Sequence, residues 1–105
     1  MFYLGIDIGK NTHVASLIDD KKKVIFKAFS FSNSIDGAES LICKLESFKN
    51  ELEIGMEATG HYWLSIYSYL VEKNSLFVLL IQSKLTVGDK VLKSEKEKLI
   101  LLILF

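Results

Sequence analysis

The hydrophobic residues near the start of the chain are grouped in short runs that are typical of strands. Residues 2–8 are apolar except at Asp7, which is typical of a central strand covered on both faces. Residues 12–18 and 24–31 are rich in strand-forming residues, and the polar segment 19–22 provides a turn between them. The first part of the chain is therefore predicted to form a three-stranded antiparallel meander.

The segment that follows has the period of an amphipathic helix. Ser34 is a candidate N-cap and Asn50 can close the helix, while the apolar positions between them recur at three- and four-residue steps. These positions are Ala38, Leu41, Ile42, Leu45 and Phe48.

The second half of the chain alternates short apolar runs with another helical stretch. Residues 53–57 predict a fourth strand, and a second helix is expected from Thr59 or Gly60 to about Lys73. Residues 76–81 predict a fifth strand. The order β-β-β-α-β-α-β predicts an α/β fold with a mixed five-stranded sheet, whose later strands are joined by right-handed crossovers.

Two single acids, Asp7 and Glu57, stand in or at the end of apolar runs. Burying an ionised carboxylate costs several kcal/mol unless a cation, hydrogen-bond donors or proton uptake compensates it. Paired carboxylates suit Mg²⁺, which can activate a hydroxyl and stabilise a leaving oxygen in phosphoryl transfer. The pair therefore predicts a metal site. Two alternatives stay open: Asp7 as an acceptor of backbone N–H groups at the Gly9 turn, and Glu57 as an acid favoured by the second helix's macrodipole.

The remaining candidate side chains have simpler interpretations. His13 is interpreted as a packed or surface histidine, because no second histidine lies at metal-ligand spacing. Cys43 is interpreted as a small inert residue of the first helix. Tyr62 and Trp63 could stack on a nucleobase, but core packing is the commoner use of such residues. His61 is the stronger candidate for a neighbour of the acidic site.

Composition restricts the function classes. Thirteen basic and thirteen acidic residues cancel, so no net charge draws the chain to nucleic acid or to acidic lipid. The single cysteine cannot form an internal disulfide, and no secretion signal is evident, so a cytoplasmic location is expected. The longest apolar run, residues 99–105, is far shorter than the roughly twenty residues of a membrane-spanning helix, so no membrane partner is expected.

Two motifs carry a family resemblance. Residues 5–13 read G-I-D-I-G-K-N-T-H, and residues 55–63 read G-M-E-A-T-G-H-Y-W. Through these motifs, residues 1 to about 75 resemble the N-terminal domain of the DEDD insertion-sequence transposases related to the Piv and MooV recombinases. The first motif is also found in actin-like kinases, whereas the second is specific.

The resemblance implies a ribonuclease H-like fold of the RuvC kind, in which the first and fourth strands are parallel neighbours. It implies Mg²⁺ held by an Asp-Glu-Asp-Asp tetrad, with Asp7 and Glu57 as the first two catalytic and metal-binding acids. It also implies DNA transposition or site-specific recombination, with DNA and a structured guide RNA as partners and a nucleophilic serine from a C-terminal domain. The possible neighbours of the site are Thr59, Gly60 and His61.

The end of the chain departs from the family pattern, because the expected D-x-x-D motif is missing and Asp89 stands alone. From Leu80 onward, the genetic code permits a gene for this chain to encode, in another reading frame, the string N-P-V-Q-T-D-G-W-R-Q-S-T-E-I-R-K-R-K-T-D-T-I-D-S-I. This string restores both aspartates. We therefore hypothesise a frameshift between about Asn74 and Leu80. Residues 1–82 would be an incomplete family domain, and residues 83–105 a non-family tail, irregular or helical and out of frame.

These inferences predict a truncated transposase N-terminal domain that is inactive alone and binds Mg²⁺ weakly. One alternative is a remnant or a non-catalytic interaction module that pairs with itself or with a full-length transposase. Another is a fragment of an actin-like sugar or acyl kinase. The kinase alternative requires a second phosphate-binding glycine loop, for which the chain is too short.

Overall fold

The computed structural model describes residues 1–58, 60–81 and 100. Within these residues five strands form one sheet, with the spatial order β3-β2-β1-β4-β5. The strands are β1 (Phe2–Asp7), β2 (Thr12–Asp19), β3 (Val24–Ser32), β4 (Leu52–Glu57) and β5 (Val78–Ile81).

The sheet is mixed. β1, β2 and β3 form the predicted antiparallel meander. β4 pairs with β1 and β5 pairs with β4, both in parallel. The mixed five-stranded α/β sheet with two helices is confirmed, and it is consistent with a ribonuclease H-like fold.

The first helix begins where the sequence predicts. α1 spans Ile35–Leu45 and continues as a 3-10 helix over Glu46–Glu51. Its N-cap is Ser34, whose Oγ accepts a hydrogen bond from the Gly37 N–H at 3.1 Å. The predicted end at Asn50 lies inside the 3-10 helix.

The predicted start of the second helix is wrong. α2 begins only at Leu64 and spans Leu64–Ser68, and a π-helical segment follows over Tyr69–Lys73. Gly60 has a φ of +68°, in the left-handed region, and therefore forms a turn instead of a helical start. Thr59 lies outside the described residues. The predicted end near Lys73 is confirmed.

Both helices pack on one face of the sheet. Strand side chains alternate between the two faces, so Leu4, Ile6, Ile54 and Met56 point toward this helical layer, and all four are fully buried. The helical partners in the same core are Ala38, Leu41, Leu45, Ile66 and Leu70.

On β1 and β4, the opposite face carries two buried glycines. Gly5 and Gly55 are register partners at the centre of the sheet. Ile100, which has helical backbone geometry, is fully buried against Gly55. It is the one described residue of the predicted tail.

None of the helices in the described part of the chain is long and apolar enough to cross a membrane.

Candidate metal centre

The two predicted acids end neighbouring parallel strands. Ile6 of β1 pairs with Met56 of β4, and Asp7 and Glu57 are the next residues of those strands. Adjacent strands lie about 4.8 Å apart, so the backbones at the two acids are neighbours. Strand alternation directs both acids away from the helical layer that buries Ile6 and Met56. The structure thus brings the two acids together at one edge of the sheet.

The solvent exposure of these acids corrects one premise of the sequence argument. Asp7 was expected to be a carboxylate placed where hydrocarbon belongs, but it is exposed at the end of β1, and Glu57 is half-buried. Water therefore offsets much of the desolvation cost that the apolar pattern suggested. The Asp7 carboxylate makes no hydrogen bond or ion pair with another described residue.

The structure also answers the alternative proposed for Asp7. The Gly9 N–H donates to Nδ1 of His13 at 3.2 Å, and not to the Asp7 carboxylate. A Cβ at position 9 would collide with the Thr12 carbonyl oxygen, so this tight turn requires glycine. The turn that follows Asp7 is therefore fixed by His13 and Thr12.

His13 is packed, one of the two outcomes expected for it, and it also has a role that sequence reasoning missed. It is fully buried, and its ring lies edge-on to Phe31 with a centroid distance of 5.4 Å. Burial lowers the pKa of the imidazole, and the nearby Asn33 side chain opposes this shift. Nε2 is buried without a hydrogen-bond partner among the described residues. Accepting the Gly9 N–H requires the neutral ring with its proton on Nε2, so neutral His13 anchors the Asp7 turn.

The alternative for Glu57 does not match the structure either. Glu57 pairs with Ile81 of β5, and the Ala58 N–H donates to the Ile81 carbonyl oxygen at 3.0 Å. α2 begins only at Leu64, so Glu57 is not in the first turn of a helix. β1 and β5 hold the end of β4 on both sides, which fixes the backbone that carries Glu57.

The candidate neighbours Gly60 and His61 lie in the exposed turn between β4 and α2. Trp63 closes this turn, because its Nε1 donates to the Gly60 carbonyl oxygen at 3.0 Å. Its ring packs against the core and lies edge-on to Tyr67 at 5.6 Å, in agreement with the packing interpretation. Tyr62 is 37% exposed and stacks at a tilt on His61, with centroids 4.5 Å apart.

The carboxylates at the ends of β1 and β4 are only part of the ligand set that a hard cation requires. Two carboxylates on adjacent strand ends are suitable oxygen ligands for Mg²⁺. The described residues contain no group of three or more His, Cys, Asp or Glu side chains that could hold a metal ion. A cation bound by Asp7 and Glu57 alone would keep several of its waters.

The sheet order and the paired strand-end acids together define an α/β domain consistent with the ribonuclease H-like class. A family model described as a transposase of the DEDD, IS110 type matches residues 4–96. The chain belongs to this transposase family. No curated protein matches the chain. The family match extends beyond residue 82, so the boundary between a family domain and a tail stays a prediction.

Proposed function

We propose that the chain is the acid-bearing N-terminal domain of an IS110-type transposase. In this proposal it acts in DNA transposition or site-specific recombination, with DNA and a structured guide RNA as partners. The observation that carries the proposal is the position of Asp7 and Glu57 on adjacent ends of parallel strands. Membership of the transposase family supports the reaction class.

In this proposal the two acids are half of a Mg²⁺ site. Asp7 is exposed and Glu57 is fixed between β1 and β5, so their oxygens would hold one side of the ion. When bound, the ion would polarise phosphate oxygens and stabilise charge on a leaving oxygen. The chain's own contribution is to position the two carboxylates and the turn between Asp7 and His13.

Metal binding can be tested without any DNA reaction. Mn²⁺ titration followed by electron paramagnetic resonance should show one weak site, with a Kd of about 1 mM or weaker, because two acids leave most of the coordination to water. Asp7→Asn and Glu57→Gln should each abolish it. Asp20→Asn, which removes an exposed acid in the β2–β3 turn, is the matched control and should leave it unchanged. Equal Mn²⁺ binding by the Asp7 and Asp20 variants would refute the assigned site.

We also propose that the chain is incomplete as a catalyst. The described residues bring together two acids, whereas the family resemblance implies four acids and a nucleophilic serine. The purified chain with DNA, guide RNA and Mg²⁺ should therefore neither cleave nor exchange strands. Robust activity that Asp7→Ala abolishes would overturn this conclusion.

A frameshift between about Asn74 and Leu80 is the proposed origin of the incompleteness. The nucleotide sequence of the gene decides it directly. The alternative frame should encode most of the string that ends in D-T-I-D-S-I. A different string in that frame would remove the frameshift from the proposal and leave the assignment of Asp7 and Glu57 intact.

A further inference from the structure

Gly55 makes room for another residue on the face of the sheet that carries the acids. Gly5 and Gly55 are buried register partners, and Asp7 and Glu57 follow two residues later on the same strands. A glycine inside a strand often marks the close approach of another group. Here the approaching group is the side chain of Ile100.

The fit between Gly55 and Ile100 is tight. A Cβ added to Gly55 would lie 2.7 Å from Cγ2 and 2.8 Å from Cδ1 of Ile100. Non-bonded carbon atoms prefer separations of about 3.5–4.0 Å, so alanine at position 55 and isoleucine at position 100 cannot both keep these places. Ile100 is 0% exposed, although it is far from β4 in sequence.

We infer that Gly55 forms a seat for one branched aliphatic side chain, and that Ile100 of the same chain occupies this seat on the sheet face that carries Asp7 and Glu57. Full burial of an isoleucine favours a packed state by roughly tenfold or more. The inference concerns packing and does not depend on whether Asp7 and Glu57 bind a metal.

The seat is close to the candidate metal centre. Residues of a strand advance by about 3.3 Å each, so Gly55 and Glu57 are about 6.6 Å apart along β4. The residue that fills the seat therefore lies within about one side-chain length of the acids.

A double-mutant cycle tests the contact. Urea unfolding is followed by the fluorescence of Trp63, the only tryptophan, in Gly55→Ala, Ile100→Ala and the double variant. Gly55→Ala should shift the unfolding equilibrium by roughly five- to thirtyfold, because it overpacks the seat. In the Ile100→Ala background the shift should be much smaller, since the Ile100 Cβ lies 3.4 Å from the added methyl group.

Gly37→Ala is the matched control. Its added Cβ would collide with the backbone of Ser32, so its cost should be the same with isoleucine or alanine at position 100. Additive effects of Gly55→Ala and Ile100→Ala would overturn the inference.

Hydrogen exchange of the peptide 97–105, measured by mass spectrometry, provides a second readout. In the wild type this peptide should be protected, and Ile100→Ala should remove the protection while the core strands keep theirs. The comparison of hydrogen exchange between wild type and Ile100→Ala tests the contact even if Gly55→Ala fails to fold. An unprotected wild-type peptide would refute the seat, and protection that rises with protein concentration would assign it to a second copy of the chain instead.

Discussion

His13 predicts a pH dependence of folding stability. The imidazole is fully buried and neutral, and burial lowers its pKa below the ordinary value of 6.5. In the unfolded chain the ring takes up a proton near pH 6.5, whereas the folded chain resists until its lower pKa is reached. The unfolded state therefore binds more protons over this interval, and stability should fall as the pH falls below about 6.5. Above that value both states are neutral and His13 contributes no slope.

The size of the change in the free energy of unfolding follows from the uptake of one proton. Each pH unit between 6.5 and the folded pKa should lower the free energy of unfolding by up to about 1.4 kcal/mol. The structural reason is specific, because a proton on Nδ1 would face the Gly9 N–H that now donates to it at 3.2 Å. Protonation therefore breaks the contact that fixes the turn after Asp7.

His13→Asn is the informative variant, because its Oδ1 can take the place of Nδ1 as an acceptor without titrating. Urea unfolding is followed by Trp63 fluorescence between pH 8 and pH 5. The variant should have a lower free energy of unfolding than wild type by a constant packing loss, and its free energy of unfolding should change less steeply with pH. His61→Gln, which removes the only other histidine, should keep the wild-type slope. Parallel curves for wild type and His13→Asn over this range would refute the reasoning.

Two further predictions concern local hydrogen bonds. Ser34→Ala should lower the free energy of unfolding by about 1 kcal/mol, because the Gly37 N–H loses its cap; Ser40→Ala, on the exposed side of α1, is the control for urea unfolding. Asp19 has a lowered pKa, chiefly because its carboxylate accepts the Lys23 N–H at 2.9 Å and also the Lys21 N–H at 2.8 Å. Its stabilising contribution should be complete above pH 3.8 and lost at lower pH, so acid titrations of wild type and Asp19→Asn should converge there.

Local patterns predicted the strands and the first helix well. Apolar runs, strand-forming residues and turn residues are local features of the sequence, and the observed bounds of β2 and β3 lie within a residue of the predicted ones. The predicted start of α2 was wrong because Gly60 adopts a positive φ, so the helix begins only at Leu64. A backbone conformation of this kind is permitted by glycine but not specified by it.

The candidate site was predicted for a partly incorrect reason. The apolar run around Asp7 suggested burial, but the acid lies at the last position of β1, where the sheet edge meets solvent. Hydrophobicity alone does not tell where a strand stops relative to the sheet edge. The proximity of Asp7 to Glu57 required the parallel pairing of β1 with β4, which the family resemblance implied and the single residues did not.

The Gly55–Ile100 contact joins two residues that are far apart in sequence. Glycine on a central strand is a local signal of close approach, but its partner is distant in sequence and leaves no mark on the pattern around position 55. The seat belongs to β4, and its occupant needs only a branched aliphatic side chain within an apolar run such as residues 99–105. An out-of-frame origin of the tail and a buried Ile100 are therefore compatible. Ile100→Asp tests the seat independently of the origin of the tail, because a charge buried against Gly55 should destabilise the contact whichever reading frame encoded residue 100.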